Sequence, residues 1–303
     1  MCKYPQSVCI FIAVILFVMP AIIKKRKLLL LASVCFLAGF GSCNQASSTN
    51  QQTKDSVNKP ALKLLGSSEN ESVAFKQNID TTKSTIYLTF DDGPQKGTIG
   101  CYNTCKTLGI KASFFMVGLH QNIKSDGKQL VSMIRNGYPE FLLTNHSYTH
   151  AKDKYKDFYH HPQAALIDFL SAQDSLEVAK KIVRLPGNRA WVRANDITSS
   201  HLVSGVAHLL DSSGYNVIGW DLEWNFSHKT GRPIQTAEKL AAQVDSAFAH
   251  QNMHIRKHLV ILTHDRIFQR PADSLSLAKF IGLLKTNPNY VFETVDHLPG
   301  LKN

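Results

Sequence analysis

Two adjacent carboxylates and a pair of histidines are the residues whose types and spacing best suit chemistry. Asp91 and Asp92 follow the apolar run 86–90 and precede a Gly-Pro turn. His146 and His150 are four residues apart, close enough for both imidazoles to bind one ion from a helical turn or a tight loop. Two histidines and one carboxylate are a common ligand set for a catalytic divalent metal, and a second carboxylate beside them would be free to act as a base. Either pattern alone is more often structural, because Asp-Asp-Gly-Pro also favours an ordinary turn.

Short apolar runs rich in β-branched and aromatic residues alternate with longer, helix-like stretches through the rest of the chain. Alternation of this kind, with almost continuously apolar strands, predicts a parallel sheet covered by helices. Seven such units favour a closed barrel over an open sheet. The predicted strands are 86–90, 112–117, 141–144, 182–185, 217–220, 259–263 and 290–295, and the predicted helices are 98–108, 121–135, 162–180, 194–212, 236–250 and 273–285.

Each polar candidate lies at or just after the C-terminal end of a predicted strand. These ends converge on one face of a parallel barrel, the face on which active sites are built. We therefore expect the candidates to lie together, which scattered solvent-facing charges would not do. They are Asp91 and Asp92 after the first strand, His146 and His150 after the third, Arg184 in the fourth, Asp221 after the fifth, and His264 with Asp265 after the sixth.

Five ordered segments carry a family resemblance: Thr-Phe-Asp-Asp-Gly-Pro at 89–94 with Thr98, His-Ser-Tyr-Thr-His at 146–150, Arg-Leu-Pro at 184–186, Asp221 near Trp224, and Leu-Thr-His at 262–264. Together they resemble the motifs of polysaccharide deacetylases, the NodB-homology enzymes of carbohydrate esterase family 4. The resemblance extends over residues 86–295. It implies a distorted (β/α)7 barrel and the metal-dependent removal of N-acetyl groups from an amino-sugar polysaccharide or oligosaccharide, such as peptidoglycan or chitin.

The resemblance also implies roles at the centre of the site. Asp92, His146 and His150 would bind the metal, with Zn²⁺ the first choice and Co²⁺, Ni²⁺ or Mn²⁺ as alternatives. Asp91 would be the general base toward water, and His264 would protonate the leaving amine. This chemistry needs these residue types, because amide hydrolysis at neutral pH requires a water of lowered pKa and an amine leaves poorly unless it is protonated.

Supporting and substrate-binding residues follow from the same resemblance. Arg184 would hold Asp91 in place, and Asp221 would orient His264 and raise its pKa through a nearby negative charge. The backbone N–H of Gly187 would stabilise the oxyanion. Many relatives carry an aromatic residue and then Gly after Arg-x-Pro, whereas this chain has Gly-Asn. The predicted substrate-binding residues are Gly187, Leu262 beside the acetyl methyl, and Trp191 or Trp224 as a replacement for the missing aromatic wall.

Two alternatives stay open. The first is an O-acetyl ester hydrolase of xylan-type glycans, because an ester and an amide are cleaved by the same machinery and the motifs do not separate them. The second is an inactive glycan-binding lipoprotein on the same barrel. A binding module has no need of both a candidate base, Asp91, and a candidate acid, His264, so their joint presence argues against the second alternative.

The N-terminal part of the chain has the order of a targeting segment. Apolar runs at 8–23 and 28–41 flank the basic cluster 24–27, and Gly-Ser precedes Cys43. Read from Met19, this order predicts a bacterial signal peptide with a lipidated Cys43 and translation from Met19. A plain N-terminal anchor helix is the alternative, and either one predicts an exported, membrane-anchored protein of the periplasm or cell surface. The predicted organisation is a targeting segment at 1–43, a polar tether at 44–83 and a polysaccharide deacetylase domain at 84–303.

Composition narrows the class of partner. The chain of 303 residues is 44% hydrophobic and 19% charged, which is ordinary for a globular protein. The net charge is +11, but the main domain has no basic block interleaved with aromatic residues. Nucleic acid is therefore not an expected partner. The resemblance implies an acetylated glycan as the substrate, and the targeting segment predicts a membrane as the second partner. Cys101 and Cys105 are expected to be buried or half-buried thiols, because a disulfide between residues four apart on a helix has awkward geometry. The sequence has no zinc-type cysteine framework.

Overall fold

The computed structural model describes residues 82–302. The predicted targeting segment with Cys43 and almost all of the predicted tether lie outside the described residues and stay predictions. Within residues 82–302, no helix has the length and apolar character needed to cross a membrane. The described α-helices are α1 (Thr98–Thr107), α2 (Gly127–Arg135), α3 (Tyr155–His160), α4 (Pro162–Ser175), α5 (Ser204–Ser212), α6 (Ala237–His250) and α7 (Pro271–Lys285).

The described strands form one sheet in the order β6-β5-β7-β4-β3-β2-β1-β9-β8, and β10 also pairs with β1. Short 3₁₀ helices cover Gly118–Asn122, His150–Asp153, Asp265–Phe268 and Val295–His297. The strands are β1 (Ser84–Gly93), β2 (Ala112–Met116), β3 (Phe141–Asn145), β4 (Ile182–Val183), β5 (Ala190–Arg193), β6 (Asp196–Ser199), β7 (Asn216–Val217), β8 (Leu222–Glu223), β9 (His258–His264) and β10 (Tyr290–Phe292).

The long strand β1 is the centre of the sheet. It pairs in parallel with β2, β9 and β10, and β3, β4, β7 and β8 extend the parallel part. The sheet curls into a half-barrel, and the predicted α/β fold of the distorted (β/α)7 type is confirmed. Closure is less complete than predicted, because no described strand pair joins β6 to β8 at the two ends of the sheet.

Side-chain alternation along β1 separates the apolar core from the site. Leu88 and Phe90 point into the largest apolar cluster, which α1, α6 and α7 cover. Burial of an apolar side chain of this size stabilises the fold by about 2 kcal/mol. Tyr87 points the other way, into an apolar cluster inside the curled sheet. Because successive side chains alternate between the two faces, Thr89 and Asp91 follow Tyr87 along the inner face, and Asp91 reaches the C-terminal rim from inside the half-barrel.

The helix predicted at 194–212 begins later in the structure. Residues 194–195 form a two-residue turn between β5 and β6, and α5 begins only at Ser204. Trp191, Val192 and Ile197 lie in this hairpin, and β-branched and aromatic residues of this kind favour cross-strand packing over helix. Since β5 runs antiparallel to β7, the sheet is mixed rather than wholly parallel.

Candidate active site

The two adjacent carboxylates approach the same imidazole because β1 is irregular at its end. In a regular strand Asp91 and Asp92 would face opposite sides of the sheet. The pairing of β1 with β2 shifts register between Asp91 and Gly93, and Asp92 has a φ of 73°. A bulge of this kind re-aims a side chain. As a result, His146 Nε2 lies 3.7 Å from Asp91 Oδ2 and 3.5 Å from Asp92 Oδ1.

Side chains that the motifs did not reveal hold the loop that carries both histidines. Asn145 ends β3, accepts the N–H of Ser147 through Oδ1 and donates through Nδ2 to the carbonyl of Phe169. Asp168 on α4 accepts both the N–H and the hydroxyl of Thr149. Asp and Asn side chains commonly fix loops by such bonds to nearby backbone. Asn145 and Asp168 therefore hold the loop after β3 in place through hydrogen bonds within the protein.

Both turns that carry the candidate ligands have left-handed backbone, and each is held by a side chain. Asp92 has a φ of 73°, and His120 Nδ1 donates to its carbonyl oxygen at 2.7 Å. All four residues of His150–Asp153 have positive φ, between 49° and 58°. The N–H of His150 donates to Ser147 Oγ at 3.0 Å. Left-handed backbone costs L residues roughly 1 kcal/mol or more each, and such strain concentrates at functional sites.

The histidine ring nitrogens are arranged for a cation. His146 Nδ1 lies 2.9 Å from the carbonyl oxygen of Arg184, so this nitrogen carries the proton. His150 Nδ1 lies 3.3 Å from Asp153 Oδ1, which favours the same tautomer. In both rings Nε2 then keeps its lone pair and faces Asp92 Oδ1, at 3.5 and 3.0 Å.

Lone pairs that face a carboxylate oxygen repel it unless a metal ion or a proton lies between them. Asp92 Oδ1 is buried and accepts no well-formed hydrogen bond from any described residue. One ligand atom from each of Asp92, His146 and His150 lies within 4.8 Å of the others. The three residues therefore fit a divalent metal, and their donor set of two imidazoles and one carboxylate suits Zn²⁺.

Asp91 is held from behind by Arg184, a contact that the resemblance led us to expect. Arg184 Nη1 donates to Asp91 Oδ1 at 2.8 Å and to Thr89 Oγ1 at 2.6 Å. Its Nε and Nη2 donate to the carbonyl oxygens of Ile218 and Gly219. Arg184 is 1% exposed, so this charge is buried with its hydrogen bonds made. The other oxygen of Asp91, Oδ2, remains directed toward the candidate metal site.

His264 ends β9, directly beside Asp91 in the sheet register. Its Nε2 lies 4.0 Å from Asp92 Oδ2, so the ring reaches the candidate metal site from the neighbouring strand. The ring packs edge-on against Phe226, with centroids 5.1 Å apart. Its Nδ1 has no hydrogen-bond partner among the described residues. The ring is thus positioned by packing, and the expected orienting carboxylate does not hold it.

The expected contact between Asp221 and His264 is wrong. The carboxylate of Asp221 accepts the backbone N–H groups of His254 and Val260, each at 2.8 Å, and these bonds use both of its oxygens. Burial raises the pKa of Asp221, and these N–H groups oppose the rise. Glu223 on β8 lines the same cleft as His264 instead. The position of Glu223 directly before a Trp is the feature of the sequence that could have identified it as a site residue.

Trp191 and Trp224, the predicted replacements for the missing aromatic wall, are core residues. Trp191 is 1% exposed and stacks on His254, with ring centroids 4.4 Å apart. Trp224 is fully buried, and its Nε1–H donates to the carbonyl oxygen of Gln235. Large rings of this kind stabilise an apolar interior when their polar atom finds a partner, as that of Trp224 does. Both predictions of substrate contact are therefore wrong.

Other aromatic residues line the cleft beside the candidate metal site, which has a volume of about 530 Å³. Gly187 and Leu262 do line it, together with Tyr155, Trp220 and Phe226. Gly187 has a φ of 63°, and a Cβ added to it would come within 3.0 Å of the Tyr155 ring. Tyr155 from α3 thus occupies the place beside Gly187 where an aromatic wall was missing from the motif.

Asp265 is a buried carboxylic acid next to the site that has no role in the expected chemistry. The hydroxyl of Thr98 donates to its Oδ2, and its Oδ1 accepts no hydrogen bond from the described residues. Burial raises the pKa of Asp265 to about 7, against the opposing effect of Thr98, and the charges of Asp92 and Asp91 add to the rise. Asp265 therefore titrates near neutral pH in the metal-free protein.

Asp265→Asn is expected to remove a loss of stability that the metal-free protein suffers as pH rises. The folded-state pKa of about 7 lies above the ordinary value, so the folded state binds the extra proton between these two pH values. Stability from this group is greatest below about pH 4 and falls until about pH 7, by roughly 2 to 3 kcal/mol between pH 5 and pH 8. Urea unfolding at both pH values with a chelator present checks this.

The matched control for this prediction is Thr98→Val, which removes the hydrogen bond of Asp265 and leaves its carboxyl group in place. That variant should keep the decline with pH, whereas Asp265→Asn should lose it. The same slope in wild type and Asp265→Asn would assign the decline to other groups.

The sequence model of the polysaccharide deacetylase family matches residues 78–184. Among curated proteins, the chain is 24% identical to chitin disaccharide deacetylase of Vibrio alginolyticus, over 80% of this chain and 77% of that protein. It is 28% identical to YheN, a putative polysaccharide deacetylase of Bacillus subtilis, over 78% of this chain and 76% of that protein.

Solved structures share the fold at low sequence identity. The catalytic domain of peptidoglycan N-acetylglucosamine deacetylase from Eubacterium rectale has a TM-score of 0.53 and 20% identity, covering 76% of this chain and 97% of that chain. The polysaccharide deacetylase Bc1974 from Bacillus cereus has a TM-score of 0.51 and 22% identity, covering 73% and 97%. The chain is therefore similar to polysaccharide deacetylases in sequence and in fold, and the predicted resemblance and enzyme class are confirmed.

Proposed function

We propose that this homologue of polysaccharide deacetylases is a metal-dependent hydrolase that removes N-acetyl groups from an amino-sugar polysaccharide or oligosaccharide of peptidoglycan or chitin type. The observation that carries the proposal is the convergence of Asp92, His146 and His150 beside a separate buried carboxylate, Asp91. A glycan-binding module needs neither a ligand set nor a base. The name of the Vibrio relative, a chitin disaccharide deacetylase, supports the substrate class.

The mechanism assigns a task to each group on the metal side of the cleft. A divalent cation, Zn²⁺ by first choice, held by Asp92, His146 and His150 would lower the pKa of a water to about 7 and polarise the acetyl carbonyl. Asp91 Oδ2 would accept the proton of the attacking water, and Arg184 keeps that carboxylate in position. The hydrogen bonds of Arg184 to two carbonyl oxygens and to Thr89 make this position rigid.

The opposite task, protonation of the leaving nitrogen, would belong to His264. An amine is a poor leaving group until it is protonated, so an acid is needed within reach of that nitrogen. Glu223 would balance the charge of a protonated His264, because the other carboxylates of the cleft are engaged: Asp91 pairs with Arg184, Asp153 lies at His150, and Asp92 would bind the metal. The backbone N–H of Gly187 would donate to the acetyl oxygen as negative charge develops there, and Leu262 would contact the methyl group.

We further propose that the enzyme is exported and anchored to a membrane, through a lipid on Cys43 or an N-terminal helix. The order of basic, apolar and small residues before Cys43 supports this proposal, and these residues lie outside the described part of the chain. Mass spectrometry of the membrane-bound protein tests it, since a lipidated N-terminal Cys43 has a mass that an intact chain from Met1 or Met19 does not.

Acetate release from a panel of glycans tests the reaction. The full chain, loaded with Zn²⁺, should release acetate from N-acetylated chitooligosaccharides or from peptidoglycan fragments, and the glycan product should contain free amines. Release from acetylated xylan alone would replace the proposal by the ester alternative. Binding of these glycans with no acetate from any of them would favour the inactive glycan-binding alternative.

A further inference from the structure

A second pocket, here called the basic pocket, lies on the other side of the candidate metal site. Its volume is about 520 Å³, close to that of the aromatic cleft. The two share Asp92, His150, Asp153 and Arg266 among their lining residues, so a chain of sugars bound at the metal site would extend from one into the other. The cationic residues that line the basic pocket are Lys96, Lys124, Lys152 and Arg266.

Lys96 and Lys152 have no side-chain partner among the described residues, and Arg266 lies over the ring of Phe226, with its Cζ 5.8 Å from the ring centroid. Lys124 Nζ lies 3.3 Å from Asp126 Oδ1. Lys96, Lys152 and Arg266 are exposed and form no salt bridge within residues 82–302. Like charges gathered around one concave surface repel each other and raise the local concentration of anions. An anionic group bound among them would relieve that repulsion.

The aromatic cleft is more acidic than the basic pocket. Asp92, Asp153 and Arg266 line both, so the difference in charge comes from Asp91 and Glu223, which line only the aromatic cleft, and from the three lysines that line only the basic pocket. Asp91 is paired with Arg184, but the carboxylate of Glu223 has no hydrogen bond or salt bridge in the described part of the chain. A negatively charged sugar would therefore be repelled on the aromatic side and attracted on the basic side. The groove formed by the two pockets therefore has a more acidic end and a more basic end.

We infer that the substrate is an acidic glycan, with an anionic substituent on a sugar next to the one that is deacetylated, and that Lys96, Lys152 and Arg266 bind this substituent. The inference rests on the proposed function, because the candidate metal site fixes which sugar is deacetylated. A carboxylate and a sulfate share the required chemistry, since either is a monoanion that accepts hydrogen bonds from ammonium and guanidinium groups. A neutral chitin chain leaves the three cations without an anionic partner.

Three oligosaccharides of equal length test the inference on the full chain. The neutral one is a chitin oligomer, and the acidic ones alternate N-acetylglucosamine with glucuronic acid or with a sulfated sugar. Affinity is measured by calorimetry and kcat/KM by acetate release. Wild type should bind at least one acidic probe about tenfold or more tightly than the neutral probe, and this preference should shrink as salt rises from about 0.05 to about 0.5 M.

The variant Lys96→Gln/Lys152→Gln is expected to lower the ratio of acidic to neutral affinity by about five- to tenfold, because exposed charge pairs contribute this much together. The matched control is Lys106→Gln/Lys285→Gln, which removes the same charge at the C-terminal ends of α1 and α7. That control should keep the wild-type ratio, since these helix ends lie away from the C-terminal rim of the sheet.

The two readouts keep the inference and the proposed function apart. Equal affinity of wild type for all three probes, or an unchanged ratio in Lys96→Gln/Lys152→Gln, overturns the inference even when acetate is released. Preferential binding of an acidic probe that depends on Lys96 and Lys152, without acetate release from any probe or from peptidoglycan fragments, supports anion binding by these lysines and refutes the proposed function.

Discussion

Replacing Asp91 with Asn is expected to lower kcat for acetate release by about 10²- to 10⁴-fold, the usual contribution of a positioned general base. The Asn side chain has nearly the same shape and still accepts the hydrogen bond from Arg184, but its amide cannot take a proton from water. Asp91 is not among the three proposed ligands, so the zinc content of the full-length variant should match that of wild type. Acetate release and elemental analysis on the same preparation measure both quantities.

Loss of folding has to be separated from loss of the base, because Asp91→Asn leaves the buried guanidinium of Arg184 without its counter-charge. Breaking a buried ion pair from one side costs about 3 to 5 kcal/mol, whereas removing both charges is often close to neutral. Asp91→Asn/Arg184→Met should therefore recover part of the thermal stability, since Met cannot donate to the carbonyl oxygens of Ile218 and Gly219, and none of the activity. Recovery of acetate release together with stability would show that Asp91 acts on the fold alone.

Asp221→Asn is the matched control for the base. Asp221 is also an acidic residue close to a strand end, but its oxygens accept backbone N–H groups of His254 and Val260. An Asn there keeps one acceptor and turns a donor toward the other N–H, so thermal stability should fall while kcat stays near that of wild type. A loss of activity in Asp221→Asn as large as that in Asp91→Asn would contradict the assignment of Asp221 as a residue that only binds the backbone.

The parallel part of the sheet is predictable from local patterns because its strands are buried on both faces. β1, β2 and β9 are continuous apolar runs bounded by turn residues, and such runs have few other ways to bury their surface. The hairpin of β5 and β6 is not predictable in this way, because its strands are short and its stability comes from packing against β7 and α5. The closing curvature is likewise a property of the whole sheet, and no single segment encodes it.

The candidate site also has features that local sequence patterns predict and features that they do not. Asp91, His146, Arg184 and His264 come together because parallel strands present their C-terminal ends on one face, whatever their exact lengths. The hydrogen-bond partners of a side chain are harder to predict. Asp221 and Glu223 are two residues apart, but the backbone N–H of Val260 in β9 donates to Asp221, whereas Glu223 lines the cleft. The core positions of Trp191 and Trp224 depend on the packed interior in the same way.

Removal of the metal is expected to lower acetate release by on the order of 10³-fold or more, because water activation and charge stabilisation both depend on the cation. A chelator should abolish activity in wild type, and added Zn²⁺ should restore it. Without the cation, Nε2 of His146 and of His150 face the same oxygen of Asp92, so the metal-free protein should also unfold more easily. Zinc at about a thousand times its Kd should stabilise the folded state by about 4 kcal/mol, which thermal unfolding with and without metal measures.

Comparison of His146→Ala with His254→Ala separates metal binding by His146 from the contribution that a packed histidine ring makes to stability. Both histidines lie close to a carboxylate: His146 Nε2 is 3.5 Å from Asp92 Oδ1, and His254 Nε2 is 2.6 Å from Asp196 Oδ2. Each variant loses a packed ring and should be less stable than wild type. Only His146→Ala should also lose bound zinc, the stabilisation by added zinc and acetate release, because His254 stacks on Trp191 away from the cleft. Stabilisation by added zinc that survives in His146→Ala, or that is lost equally in His254→Ala, would contradict the assignment of His146 as a ligand. The hydrogen bond of His146 Nδ1 to the Arg184 carbonyl would then not serve metal binding.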